Sequence, residues 1–119
     1  RGQNFSGQDL SGTSFAGADM RGADFHGANL EGTILTKAYF LQANLGGANF
    51  AQAFSDRVTF DKSDLTNAIF TYSLLTSNTF YGANIEGTYF SGALVDAYQA
   101  MLMCKRASGK IPYQVYTQG

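Results

Sequence analysis

Apolar residues return at every fifth position along most of the chain. Phe5, Leu10, Phe15, Met20, Phe25, Leu30, Leu35, Phe40, Leu45, Phe50, Phe60, Leu65, Phe70, Leu75, Phe80, Ile85, Phe90 and Val95 hold this register, and only Ser55 breaks it. A chain that is 45% hydrophobic does not produce such a run by chance. Self-similarity at a short fixed period predicts a solenoid. A step of five suits neither regular element. At about 100° per residue a helix would smear these residues around its barrel, and on a straight strand an odd step sends alternate members to opposite faces. The chain must turn once per repeat. Gly7, Gly12, Gly17, Gly22, Gly27, Gly32, Gly47, Gly82, Gly87 and Gly92 all lie two residues after an apolar centre, and Gly2 falls in the same register. A residue without a Cβ there permits the tight corner.

The position two before each centre is mostly small, as at Ala18, Ala23, Ala28, Thr33, Ala38, Ala43, Ala48, Ala53, Ser63, Ala68, Ser73, Ala83 and Ala93. The position just before the centre is often Asp or Asn. Segments such as Ala23-Asp24-Phe25-His26-Gly27, Ala28-Asn29-Leu30-Glu31-Gly32 and Ala83-Asn84-Ile85-Glu86-Gly87 closely resemble the pentapeptide-repeat family. That resemblance implies an all-β solenoid: a right-handed quadrilateral β-helix of about five coils, with four repeats per coil. Positions twenty apart then stack at roughly 4.8 Å per coil, for a column on the order of 24 Å long. Phe5, Phe25, Leu45, Leu65 and Ile85 stack on a first side, and Leu10, Leu30, Phe50, Phe70 and Phe90 on a second. Phe15, Leu35, Ser55, Leu75 and Val95 form the third side, and Met20, Phe40, Phe60 and Phe80 the fourth. The expected core ladder is Phe25, Leu30, Phe40, Phe50, Phe60, Leu65, Phe70, Phe80, Ile85 and Phe90.

The pattern divides the chain into a repeat column, 1–95, and a C-terminal segment, 96–119. Asp96 is a suitable N-cap, Tyr98, Met101, Leu102 and Lys105 follow at helical spacing, and Gly109 and Pro112 end the pattern. A solenoid's last coil exposes core and strand edge, so this segment is expected to form a capping α-helix. The tail from Lys110 is expected either to pack extended on the column or to be a disordered end. The first coil has no visible cap, which fits either a missing segment or end-to-end association. The start at Arg1, without an initiator Met, reads as a trimmed N-terminus with any targeting peptide out of view. No apolar run approaches the ~18–20 residues of a membrane span, so membrane insertion is not expected. Cys104 stands alone and forms no internal disulfide.

Catalytic chemistry is not expected. His26 is the only histidine and sits at an outward position, so no metal site is expected. The column Asn4, Asp24, Asn44, Asp64 and Asn84 is assigned to capping local turns. The glycines lack the strand-to-helix setting of a phosphate-binding loop. Nothing forms a nucleophile–base pair, and neither a cofactor nor an enzymatic activity is assigned.

The departures from the repeat are more informative. On the third side the position before each centre reads Ile34, Phe54, Leu74 and Leu94, an apolar stripe where polar residues are expected. One reading is a bulge at Phe54-Ser55 that turns Phe54 inward in place of Ser55, with the tail or cap covering the rest. The other makes the stripe a partner-binding surface, because contiguous exposed apolar patches mark interfaces. Ile69, Tyr89 and Tyr39 extend the apolar decoration, while Lys37, Arg57, Asp56, Asp61 and Lys62 form a mixed, solvated cluster.

The resemblance offers two functional classes. One is a structural or protein-interaction module, as in cyanobacteria and the plant thylakoid lumen, and the stretch from Phe54 to Leu65 resembles a break seen in that branch. Lumenal relatives often carry a C-terminal disulfide, which a single Cys cannot supply; a cytoplasmic location is the alternative. The other class imitates duplex DNA and engages gyrase, conferring fluoroquinolone resistance, and it needs a strongly acidic surface. Eight basic against nine acidic residues, a formal net charge of −1, make a poor phosphate ladder. The expectation is an interaction module with an unidentified protein partner, no direct nucleic-acid binding, and a monomer rather than a dimer.

Overall fold

Ladder partners lie twenty residues apart, and this offset converts five-residue steps into four-sided coils. Parallel bridges join Asn4 to Asp24, Asp9 to Asn29, Ser14 to Ile34 and Asp19 to Tyr39, and the offset persists as far as Leu75 with Val95. The computed structural model describes residues 2–96 and 116–118.

Each ordinary corner is a β-turn closed by the backbone. The N–H three residues after the centre donates to the centre's carbonyl, as in Ala28 to Phe25 (2.9 Å) and Ala48 to Leu45 (3.1 Å). The third turn residue is left-handed, with φ +67° at Gly27, as a type II turn requires. Eight side-chain-bearing residues adopt the same conformation where glycine is absent, namely Lys37, Gln42, Gln52, Arg57, Lys62, Asn67, Tyr72 and Ser77. Each costs about 1–2 kcal/mol against glycine. The ladder overrides that cost: the Gln42 N–H donates to Asp61 at 3.0 Å, the same distance as Gly22 to Leu41.

The corner glycines are not equivalent. A Cβ added at Gly27 would meet open space, whereas one at Gly92 (φ +71°) would lie 2.5 Å from two ring carbons of Tyr72. Gly27→Ala is expected to cost about 1 kcal/mol from backbone strain alone. Gly92→Ala should cost more, because the Tyr72 ring must also move. Urea titration should show the excess disappearing in a Tyr72→Ala background, and an excess that survived would mean the ring is not its cause.

Inside the column, aromatic rings from opposite sides meet. Phe50, Phe70 and Phe90 stack at 4.8 and 5.6 Å along the second side, and Phe40, Phe60 and Phe80 at 5.6 and 5.1 Å along the fourth. The two stacks interlock edge-on, with Phe60 and Phe70 5.7 Å apart at 86°. All ten expected core-ladder residues are buried.

The third side is the most strand-like. β1 (Phe54–Asp56), β2 (Leu74–Thr76), β3 (Leu94–Asp96) and β4 (Tyr116–Gln118) form one parallel sheet in that order. Phe54 partners Leu74, and Leu74 partners Leu94. Leu94 then partners Tyr116, so residues 116–118 run extended against the column.

Two expectations are corrected here. No bulge occurs at Phe54-Ser55: Ser55 partners Leu75 in regular register and is fully buried, while Phe54 points outward. A one-residue slip would have turned every side chain of the strand to the other face. Asp96, expected as a helix cap, is the last residue of β3, and its Oδ2 accepts the Ser77 N–H at 2.7 Å. There is no helix among the described residues. Tyr98, Met101 and Leu102, the rest of the expected cap, lie outside them.

Candidate functional site

The outward position before each centre often holds Asp or Asn, whose side chain closes the corner. Asn4, Asp24, Asn44, Asp64 and Asn84 accept the N–H two residues on, from Ser6, His26, Gly46, Thr66 and Glu86, at 2.9–3.1 Å. These carboxylates and amides are thereby committed to turns, as expected for Asx residues.

Ile34, Phe54, Leu74 and Leu94 occupy the equivalent position on the third side and have no such bond to make. The ladder brings all four into one column, each the Cα partner of the next. Their exposure is graded. Ile34 and Phe54 are 48% and 43% exposed, while Leu74 and Leu94 are half-buried. An isoleucine and a phenylalanine held side by side on a rigid sheet make an apolar surface that water wets poorly.

A polar margin runs beside the stripe. Asp56 accepts the Thr76 hydroxyl at 2.9 Å and pairs with the Arg57 guanidinium at 2.8 Å. The Thr76 hydrogen bond first, and Arg57 second, hold its carboxyl below the usual carboxylate range. Lys37 adds a weaker attraction. On the opposite margin Tyr72, 71% exposed, occupies a corner, and Tyr89 is 59% exposed on the second side. The sequence singled out Tyr89 but not Tyr72, whose position is one that the repeat usually gives to glycine.

The remaining chemistry is sparse. His26 is exposed and lies over Gly46, where an added Cβ would be 3.1 Å from its Nδ1. Among the described residues no group of three or more His, Cys, Asp or Glu side chains is placed to hold a metal ion. Among the described residues no helix is long and apolar enough to cross a membrane.

Asn78 is the site residue that sequence reasoning missed. It is 1% exposed, and its Oδ1 accepts the buried Val58 N–H at 2.8 Å from one coil away. Ser55 Oγ and Asn78 Nδ2 are buried with no hydrogen-bond partner among the described residues. The available signal was that Val58 and Asn78, twenty residues apart, replace the small residue expected at their positions.

Comparison with known proteins places this geometry. The profile of pentapeptide repeats matches in 8 copies over residues 4–36, 38–76 and 60–94. Comparison with curated proteins gives no significant match. Among solved structures, a pentapeptide repeat protein from the Arabidopsis thaliana thylakoid lumen is 32% identical with a TM-score of 0.72, covering 93% of this chain and 81% of that one. HetL, a pentapeptide repeat protein involved in heterocyst differentiation regulation in the cyanobacterium Nostoc, is 25% identical with a TM-score of 0.72. That match covers 73% of this chain and 40% of HetL. QnrB1, a plasmid-mediated fluoroquinolone resistance protein, shares the fold at 21% identity and a TM-score of 0.66, over 82% of this chain and 62% of its own. These neighbours imply a right-handed β-helix. The chain belongs to the pentapeptide-repeat family.

Proposed function

We propose that the protein is a non-catalytic interaction module that docks a protein partner on its third side, through Ile34, Phe54, Leu74 and Leu94. The observation that carries this reading is the outward exposure of Ile34 and Phe54 in adjacent coils, at 48% and 43%. Elsewhere the repeat most often gives that position to Asp or Asn, whose side chain closes the turn, so neither apolar side chain is needed to form the column. A rigid, pre-formed surface loses little entropy on binding. Among the described residues the corners are too short to form a pocket, and the turn-bound Asx side chains are poorly placed for acid–base work.

The proposed setting is the thylakoid lumen of a photosynthetic organism, or its cyanobacterial equivalent. Support comes from the 32% identity to the Arabidopsis lumenal protein. Imitation of DNA towards gyrase is the weaker reading, because likeness to QnrB1 at 21% identity concerns the fold, and the nearly neutral charge offers no phosphate-like ladder.

A photo-cross-linking residue at position 54, with one at Gln42 as control, tests the docking side. In thylakoid-lumen extract, position 54 is expected to capture a discrete protein that position 42 does not. Ile34→Asp with Phe54→Asp should abolish the capture while changing stability by less than about 1 kcal/mol. Loss of folding in that variant would place the stripe in the core instead. Equal capture at both positions would refute the assignment of this side.

A further inference from the structure

We propose that the segment received by the third side is an amphipathic helix, laid along the column with a carboxylate beside Lys37. This rests on the third side being the docking side and specifies the element that fits it. The backbone of that side is engaged in the ladder. Ile34 donates its N–H to the Thr13 carbonyl (3.1 Å) and accepts the Phe15 N–H (2.8 Å), and Phe54 does the same with Thr33 and Leu35, both at 2.9 Å. The Leu74 and Leu94 N–H groups go to the Ala53 and Ser73 carbonyls, each at 3.0 Å. Recognition on this side therefore runs through side chains, and a strand added by backbone pairing does not fit it.

The stripe is long and narrow. Along the column it covers three coil steps, about 14 Å at ~4.8 Å per coil. Across the strands the next residue, Leu35, Ser55, Leu75 or Val95, is buried, and the one after it is Thr36, Asp56, Thr76 or Asp96. A single row of apolar side chains thus borders a polar row.

Shape and charge select the occupant. Two strongly exposed apolar residues fall far short of the roughly 800 Å² per partner that a stable interface buries, so a second copy set face to face is a poor match. An extended segment on the same row finds no free backbone groups to pair with and sets only alternate residues on it. A helix satisfies its own backbone hydrogen bonds, and its residues at i, i+3 or i+4 and i+7 make one apolar row. Its pitch of about 5.4 Å is close to the coil spacing, and about three turns reach from Ile34 to Leu94. The margin supplies the charge. Asp56 is occupied by Arg57 and Thr76, and Asp96 by the Ser77 N–H. Lys37, exposed at the corner three residues after Ile34, makes no ion pair among the described residues. A carboxylate on the flank of the helix complements it.

Selection from two displayed peptide libraries against the full chain tests this. Both hold peptides of about 18 residues, long enough to form a helix; one sets apolar residues at helical spacing, the other in strict alternation, and both vary the flanks among Glu, Lys and Ser. Binders are expected from the helical library, with an acidic flank and a gain of helical circular dichroism on binding. Phe54→Asp should weaken them at least about tenfold by removing a central apolar anchor. Lys37→Glu should weaken them about three- to tenfold at low salt, and Gln42→Glu, on another corner, should change little. Unchanged urea midpoints would show that each variant keeps the column folded. Phe54-dependent binders from the alternating library would overturn the helix and leave the docking side standing. Helical binders indifferent to Lys37→Glu would overturn the carboxylate. Binders indifferent to both Phe54→Asp and Ile34→Asp, or no binder from either library, would overturn the helix and the docking side together.

Discussion

Replacing Phe60 by Ala is expected to lower the unfolding free energy by about 3–5 kcal/mol, the largest effect of any single truncation in the column. Phe60 stands where the two aromatic stacks cross. Its ring lies nearly parallel to Phe40 at 5.6 Å and Phe80 at 5.1 Å, and edge-on to Phe50 at 6.1 Å and Phe70 at 5.7 Å. Truncation removes the transfer energy of a fully buried ring and leaves a cavity lined by four others. Those neighbours are fixed by ladder hydrogen bonds above and below, so they collapse poorly into the gap. In a solenoid each coil is stabilised by its neighbours alone, so a defect in the middle weakens both halves.

Two variants calibrate this. Phe60→Leu keeps most of the volume and should cost less than about 1.5 kcal/mol. Phe90→Ala should cost less than Phe60→Ala, because Phe90 makes one described ring contact, with Phe70 at 5.6 Å. Chemical denaturation of the three variants gives the order directly. Natural domains have about 5–15 kcal/mol in total, so Phe60→Ala should shift the midpoint far towards low denaturant. A cost below about 1 kcal/mol would show that the opposite sides close the gap freely, and that the crossed stacks are not the stabilising element.

The buried ladder was legible because one signal, the five-residue period, reports both the corner and the inward side chain. From Phe25 to Phe90 the sequence pattern and the burial agree residue by residue. The third side was less legible because two terms compete there. A serine at a core position suggests that the chain slips to bring Phe54 inward. Keeping Ser55 in place leaves one hydroxyl unsatisfied, at about 1–3 kcal/mol, whereas slipping would break register with Ile34 below and Leu74 above. The ladder wins, and that comparison requires neighbouring coils that a linear pattern does not display. Corner residues pose the same problem: the sequence marks Gly27 as a turn, but the ladder imposes the same φ on Tyr72 and Gln52. Of the candidate site, the stripe was visible as four apolar residues twenty apart, and its graded exposure was not.

Asn78→Ala is the second substitution expected to be severe, at about 2–3 kcal/mol for the loss of a single carboxamide. At the equivalent corner one coil earlier, the Ala38 N–H donates to the Leu35 carbonyl at 2.9 Å. β1 and β2 run extended past that point, and the Val58 N–H turns to Asn78 Oδ1 instead. Both residues are about 1% exposed, so no water replaces the lost acceptor. Loss of the unpartnered Nδ2 offsets part of the cost, which keeps the figure below that for Phe60. Asn78→Asp separates hydrogen bonding from volume. The carboxyl keeps an acceptor oxygen, but burial disfavours its charged form and raises its folded pKa above the unfolded value of about 3.9. Below that value both states are protonated and the variant should approach the parent protein. As pH rises through the unfolded pKa the unfolded state ionises first, so stability should fall until the folded pKa is passed. Urea titrations of both variants at acid and neutral pH measure this directly. If Asn78→Asp were as stable at neutral pH as at acid pH, relative to the parent, the site would be open to water and the buried Val58–Asn78 bond would not be what holds this corner.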